Sequence, residues 1–246
     1  MGRIINRLLV ITAALAIAFG GLAYIFRDAE HDNAQVFDKT FPLCEYIDMD
    51  ILRLNVTVIP YDGNNIRISY KNDVPLDIEL GDNRLSVSES SDFVISVFAG
   101  SEAEFGLYLY LPEDVFYHEI TIYTGSGNVN FGGFDSEKVT IITNSGDISC
   151  ENAHSLTSIV TGSGYVSLDF DKVVAESSIS SRSGDAEIVF PHDGSVALDF
   201  ETELGLCETD LIKGQLYGNY MYSFNGGDTL IHAFMEKGTL KIKERE

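Results

Sequence analysis

Thr124-Gly125-Ser126-Gly127, Thr143-Asn144-Ser145-Gly146, Thr161-Gly162-Ser163-Gly164 and Ser181-Arg182-Ser183-Gly184 are four copies of one short pattern within residues 119–190. Their final glycines are spaced 19, 18 and 20 residues apart. A fixed period near that length marks a solenoid, in which each repeat is one rung and neighbouring rungs bury each other's apolar edges. Aligned on the final glycine, the repeats form columns. Ile122, Ile141, Ile159 and Ile179 stand five residues before it, and Thr124, Thr143, Thr161 and Ser181 three before. Val129, Ile148, Val166 and Ala186 stand two after it, and Phe131, Cys150, Leu168 and Ile188 four after. A spacing of two is the strand period, so each rung reads as strand, tight turn, strand. The glycine meets either a positive φ or a close approach between rungs.

The pattern continues more faintly toward the C-terminus. With Gly205 as anchor, Phe200, Thr202 and Cys207 fall into the isoleucine, threonine and valine columns. With Gly238 as anchor, Ala233, Leu240 and Ile242 fill the inner columns. The 33 residues between these anchors exceed one rung, which predicts a loop around Tyr217–Gly227. The expected fold is all-β: a single-stranded β-solenoid, or β-helix, of rungs of about 20 residues, preceded by an N-terminal transmembrane helix.

Ser145-Gly146-Asp147-Ile148 and Ser183-Gly184-Asp185-Ala186, with looser copies at Ser126-Gly127-Asn128-Val129 and Ser163-Gly164-Tyr165-Val166, resemble the repeated Ser-Gly-Asp turns of the bacterial putative adhesin family, a domain of unknown function. A strand ending in leucine-proline before the repeats, here Leu107–Pro112, is a second point of likeness. The resemblance covers roughly residues 50–243. It implies an adhesin-like surface domain.

Composition sets further limits. The formal net charge is −22, and residues 1–27 hold Arg3, Arg7 and Arg27 with no acid, so the remainder carries −25. Such a surface repels nucleic acid and anionic headgroups. Leu8–Phe26 is a run without charge, about 28 Å long as a helix and near the thickness of a bilayer core. The preceding arginines predict a single pass with a cytoplasmic N-terminus and an extracytoplasmic C-terminal domain. A cleaved signal peptide, with Ala16-Ile17-Ala18 at the cleavage site, is the alternative and would give a secreted protein. The organisation expected is therefore an anchor at 1–27, a polar stalk at 28–45 and a solenoid domain at 46–246. Within that domain, 46–117 reads as a strand-rich first part and 119–246 as repeat rungs.

Hairpins are expected around Tyr61–Asn65, joining Asn55–Ile59 to Ile66–Tyr70, and around Gly81–Asn83, joining Leu76–Leu80 to Leu85–Ser88. Phe93–Phe98 and Phe105–Leu111 read as a third pair. Alternation in Leu107-Tyr108-Leu109-Tyr110-Leu111 places the leucines inside. Thr239–Lys243 reads as a terminal edge strand protected by outward Lys241 and Lys243.

Chemistry-bearing residues are sparse. His31, His118, His154, His192 and His232 lack ligand spacing, and no motif calls for a cofactor or metal. Gly132-Gly133-Phe134-Asp135 is only a fragment of a calcium-binding nonapeptide. Cys44, Cys150 and Cys207 are an odd set. Cys150 and Cys207 stand three anchors apart, about 14 Å at strand spacing, too far to bridge. The best acid pair is Asp147 and Asp185, in one column two rungs apart and about 9.6 Å by strand spacing, near the separation in inverting glycosidases. An aspartate beside glycine is, however, an ordinary turn-former. Tyr217, Tyr220, Tyr222 and Phe224 are either one face of a strand or a contact patch for a ligand.

The reading that follows is a membrane-anchored, non-catalytic binding or structural module, tied to the membrane by residues 8–26 and recognising an unidentified protein or glycan. A polysaccharide-active β-helical enzyme and an extracytoplasmic partner in envelope-stress regulation are the alternatives.

Overall fold

The computed structural model describes residues 36–71, 75–90, 106–153, 157–172, 176–192, 194–209, 214–227 and 229–245, with backbone alone at 214–217. The expected anchor, residues 28–35 of the expected stalk and the strand expected over Phe93–Phe98 lie outside them. No helix among the described residues is long and apolar enough to cross a membrane.

The chain is all-β. It opens with β1 (Val36–Phe41) and a rung made of β2 (Tyr46–Ile51) and β3 (Asn55–Tyr61). Two strands outside the rungs follow, β4 (Ile66–Lys71) and β5 (Leu76–Gly81), then a second rung of β6 (Arg84–Glu89) and β7 (Gly106–Pro112). Four rungs carry the repeat: β8 (Tyr117–Thr124) with β9 (Val129–Phe131), β10 (Ser136–Thr143) with β11 (Ile148–Ala153), β12 (Thr157–Thr161) with β13 (Val166–Phe170), and β14 (Ser177–Ser181) with β15 (Ala186–Phe190). A seventh rung, β16 (Val196–Thr202) with β17 (Leu206–Thr209), precedes two more outside strands, β18 (Gly214–Tyr217) and β19 (Tyr220–Phe224). The last rung is β20 (Leu230–Met235) with β21 (Thr239–Glu244).

Each rung gives one strand to each of two sheets. The first sheet runs β1-β4-β7-β3-β9-β11-β13-β15-β21-β17-β18, and the second β19-β16-β20-β14-β12-β10-β8-β2-β6-β5. Rung strands pair in parallel, so equivalent residues stack. Ile122, Ile141, Ile159 and Ile179 form one line as expected, extended by Met49 at one end and by Ala233 and then Phe200 at the other. None of these is more than 2% exposed. Across the core, Val56, Val129, Ile148, Val166, Ala186, Leu240 and Cys207 make the matching line in the first sheet. Burying one such side chain contributes about 1.5–3 kcal/mol, so the two lines supply much of the driving force.

The spatial order of rungs departs from chain order at both ends. Gly205 and Gly238 are both rung anchors, but the Gly238 rung lies between the Gly184 and Gly205 rungs: β20 pairs with β14 and β16, and β21 with β15 and β17. The other end repeats the device, with β6/β7 outermost and β2/β3 one place inside. In both places the segment linking the exchanged rungs forms antiparallel strands over the exposed edges. These are β4 on β7 and β5 on β6 at one end, and β18 on β17 and β19 on β16 at the other. Unpaired edges invite association, and these strands limit them to short outer ribbons.

Several expectations are corrected by this order. Asn55–Ile59 and Ile66–Tyr70 do not form a hairpin, because β7 inserts between them with Leu107, Leu109 and Leu111 fully buried. The predicted Tyr217–Gly227 loop contains β19 and the turn after it. Thr239–Lys243 is no edge strand but lies inside the first sheet. Its lysines are exposed because they occupy the outer face, and Lys243 pairs with Glu187 at 2.8 Å. Val36–Phe41, expected in the stalk, pairs with β4. The Gly81–Asn83 hairpin is as expected, with Asp82 and Asn83 both left-handed (φ 50° and 62°). Cys150 and Cys207 lie four rungs apart rather than three. All three thiols are free and buried, and burial pushes Cys150 up to about 12 and Cys207 up to about 11, so neither is a thiolate near neutral pH.

The repeated turn is a steric device. A Cβ on Gly164 would fall 1.9 Å from the Gly146 carbonyl oxygen, and one on Gly184 1.8 Å from that of Gly164. Close approach is therefore the reason for glycine at these positions; Gly238 alone of the anchors adds a positive φ, 114°. Beside them the buried Thr143, Thr161 and Ser181 hydroxyls accept the N–H of Gly146, Gly164 and Gly184 at 2.8, 2.9 and 3.0 Å. Each turn also donates N–H groups to the carbonyls of the preceding turn, as Ser183 does to Gly162 at 3.1 Å. At the Leu52–Leu54 turn a carboxylate takes over this role. Glu89 accepts the Leu52 and Arg53 N–H groups, both at 2.9 Å, and its other oxygen receives the Arg53 guanidinium.

Candidate functional site

Asp147 and Asp185 do fall in one column, flanking Tyr165, and each spends an oxygen on the neighbouring rung. Asp147 Oδ1 accepts the Tyr165 N–H at 2.8 Å, and Asp185 Oδ1 accepts that of Thr239 at 2.8 Å. The asparagines in this column act alike: Asn55 accepts from Asn128, and Asn128 from Asp147, both at 2.9 Å. The column is a side-chain ladder that caps backbone donors where the turn leaves the sheet. Asp147→Asn should therefore change stability by less than about 0.5 kcal/mol, since Asn128 makes the same bond one rung away. Asp147→Ala should cost about 1 kcal/mol, read from the denaturant midpoint of the full chain.

The aromatic stretch proves to be a strand at the end of the stack. Along β19 Tyr220 is exposed, Tyr222 half-buried and Phe224 buried; the side chain of Tyr217 lies outside the described residues. Tyr222 packs edge-on against Phe224, with ring centroids 4.6 Å apart, and Phe224 leans on Phe190. Phe224 thus belongs to the core; Tyr220, Tyr222 and Phe224 share the inward face of β19, and burial on that face grows along the strand toward Phe224. Of the histidines, His118 lies 3.1 Å from Glu137, His232 3.1 Å from Asp199 and His192 2.9 Å from Glu244, all on the surface. His31 and His154 are outside the described residues.

The outer face of the second sheet holds a feature not singled out from the sequence. Thr121, Thr140, Ser158 and Ser178 stand side by side on β8, β10, β12 and β14. Next to them run Tyr123, Ile142, Val160 and Ser180. These eight positions carry no charge on a chain of net charge −22. Beyond the hydroxyl row, Lys138 is neutralised by Glu119 at 3.0 Å. At one end Asp48, Asp50, Ser86, Ser88, Thr121 and Tyr123 line a shallow open trough. Asp48 is paired with Arg84, and the Tyr123 hydroxyl accepts Asn144 Nδ2 at 3.0 Å, which fixes the ring. At the other end stand His232, Asp199, Glu201 and the exposed Phe234. By contrast, the outer face of the first sheet carries Glu187, Lys241 and Lys243 in the middle of the stack. The signal was present in the repeat: six residues before each of Gly127, Gly146, Gly164 and Gly184 is a threonine or serine.

A family model described as Toastrack DUF4097 matches residues 113–242. No curated protein matches the chain significantly. Among solved structures, a putative cell adhesion protein from Clostridium sporogenes is similar at 14% identity and a TM-score of 0.50, covering 86% of this chain and 99% of its own. A putative adhesin from Bacteroides fragilis is similar at 11% identity and a TM-score of 0.34, covering 86% and 97%. A putative lipid-binding protein from Parabacteroides distasonis is similar at 11% identity and a TM-score of 0.35, covering 87% and 98%. At 14% identity the likeness to the Clostridium sporogenes protein is one of fold.

Proposed function

Because the chain belongs to the Toastrack DUF4097 family, we propose that it is a membrane-anchored, extracytoplasmic module that binds a glycan or protein ligand without catalysis. The observation that carries this reading is the engagement of Asp147 and Asp185. The acid pair singled out by its column is used to cap backbone donors, and that accounts for aspartate at both positions. Ser-Gly-Asp turns fit the same reading: serine and glycine serve the turn and aspartate the ladder. Leu8–Phe26 supplies the anchor, and Arg3 and Arg7 orient it with the solenoid outside. Tyr220 and Tyr222, at the capped end of the stack, are a candidate contact.

Two measurements test the proposal. Protease added to intact cells should digest the solenoid, while the mature N-terminus still includes Met1 or Gly2; a chain beginning near Phe19 would mean cleavage instead. The purified full chain should release no reducing ends from polysaccharides. An Asp147→Asn, Asp185→Asn double variant that abolished a cleaving activity of the unmodified chain would replace the binding reading with an enzymatic one.

A further inference from the structure

We infer that the outer face of the second sheet is the ligand surface and that its ligand is an uncharged, extended polysaccharide, with the Asp50–Tyr123 trough holding one sugar and the rows leading the chain toward Phe234. This inference rests on the binding-module reading above.

Three observations converge. The first is charge. On a protein of net charge −22 the strip across β8, β10, β12 and β14 has no acidic or basic residue in its two central rows. Solubility alone favours scattering charge over an exposed sheet face. The second is chemistry. A pyranose presents hydroxyls on its rim and C–H groups on its faces. One row offers hydroxyls at Thr121, Ser158 and Ser178, and the adjacent row offers Tyr123, Ile142 and Val160 for stacking. The Ser178 hydroxyl donates to that of Ser158 at 3.1 Å, which orders this end of the row, while the Thr140 hydroxyl oxygen is buried and contributes its methyl to the surface. In the trough, exposed Asp50 stands beside Tyr123 across the β2–β8 pairing, so a carboxylate that can accept from sugar hydroxyls adjoins a ring oriented by Asn144. The third is periodicity. In-register parallel strands repeat each contact about every 4.8 Å, so Tyr123 and Phe234, four rungs apart, are separated by about 19 Å. That repeat suits a polymer better than a single compact ligand.

Electrostatics selects among occupants. Asp50 closes one end of the strip and Asp199 and Glu201 the other. Two copies docked face to face about a two-fold axis would set Asp50 of each against Glu201 of the other, and like charges brought together oppose docking. An anionic polymer or lipid surface meets the same repulsion. A neutral chain meets none.

The test uses the full chain in detergent micelles, titrated calorimetrically with cello-, chito-, xylo- and mannohexaose, and with heparin as the anionic probe. At least one neutral hexasaccharide should bind, and heparin should not. Val160→Glu, which places a charge on an exposed site, and Tyr123→Ala should each weaken binding by about tenfold or more. Tyr108→Ala, on the opposite outer face, should leave it unchanged. Thermal melting of each variant reports whether the fold is kept. Failure of all four hexasaccharides to bind, preference for heparin, or full affinity in folded Val160→Glu would overturn the inference. Loss of binding through Tyr220→Ala and Tyr222→Ala alone would overturn this surface and keep the binding module. Cleavage of the hexasaccharide would overturn the module reading itself.

Discussion

Ile159→Asp should abolish the fold. Ile159 is fully buried on β12 and stacks between Ile141 and Ile179 in the middle of the ladder. The substitution removes about 1.5–3 kcal/mol of burial. It also places a carboxylate among aliphatic side chains with no cation or donor to meet it, a further penalty of several kcal/mol. A domain is stable by about 5–15 kcal/mol in total, so the two losses together consume most or all of it. The comparison is one residue along the same strand. Val160 faces outward, 39% exposed, and Val160→Glu should melt within a few degrees of the unmodified chain. Circular dichroism of both variants checks the pair. A cooperatively melting Ile159→Asp chain with an unchanged midpoint would show that the isoleucine line is not the core.

Gly164→Ala should be among the most damaging single-methyl changes in the described residues. The new Cβ would lie 1.9 Å from the Gly146 carbonyl oxygen and 2.6 Å from its carbon. Both are backbone atoms of the adjacent rung, so no side chain can swing away. The rungs must separate, which strains the Ser183-to-Gly162 type of turn bond and the sheets on either side. Overpacking in a core costs about 1–3 kcal/mol when side chains can adjust, and a backbone clash belongs at or above the upper end. Gly81→Ala is the control. Nothing lies within 4 Å of its added Cβ. With no positive φ at Gly81, this change should be neutral or slightly stabilising. Denaturant midpoints of the two variants give the contrast, and equal midpoints would contradict the close-approach explanation.

The regular part of the fold was legible because a parallel stack converts sequence period directly into register. Once Gly127, Gly146, Gly164 and Gly184 are aligned, every pairing from β8 to β15 follows, and so do the columns of Phe200 and Ala233. What the columns could not reveal is order. Phe200 and Ala233 fit the isoleucine line equally well beside Ile179, because each rung presents its neighbours with nearly the same surface. The choice is made by the linking segment, which must leave the stack after Thr209 and cover an edge before the chain returns as β20. Similarly, Leu107 competes successfully for the side of Val56, displacing the local hairpin to Ile66–Tyr70. Local turn signals at Asp62-Gly63 describe a bend but not the strand beyond it.

The candidate sites divide along the same line. Asp147 and Asp185 were visible as a pair, and their spacing was right, but only hydrogen-bond partners distinguish a free carboxylate from a ladder cap. Tyr220, Tyr222 and Phe224 share one face of β19, so the strand period groups them, and only the packing of Phe224 against Phe190 separates a core ring from an exposed one. The uncharged rows on the second sheet were readable in every repeat. They drew no notice because inward columns identify a solenoid, while function resides on the outward ones.

The exchanged rung is the most distinctive element of the fold and is open to a direct test by disulfide trapping. Ser178 and His232 are register partners on adjacent outer-face positions, while Ser178 and Asp199 lie two strands apart with His232 between them. That is about 4.8 Å against about 9.6 Å, and a disulfide requires Cα atoms within about 7 Å. The native thiols are buried and do not interfere. Oxidation of the Ser178→Cys, His232→Cys chain should give a quantitative intramolecular crosslink, with Ser178→Cys, Asp199→Cys remaining reduced. A crosslink between positions 178 and 199, with none between 178 and 232, would mean that the rungs stack in chain order and that the last one does not return into the stack.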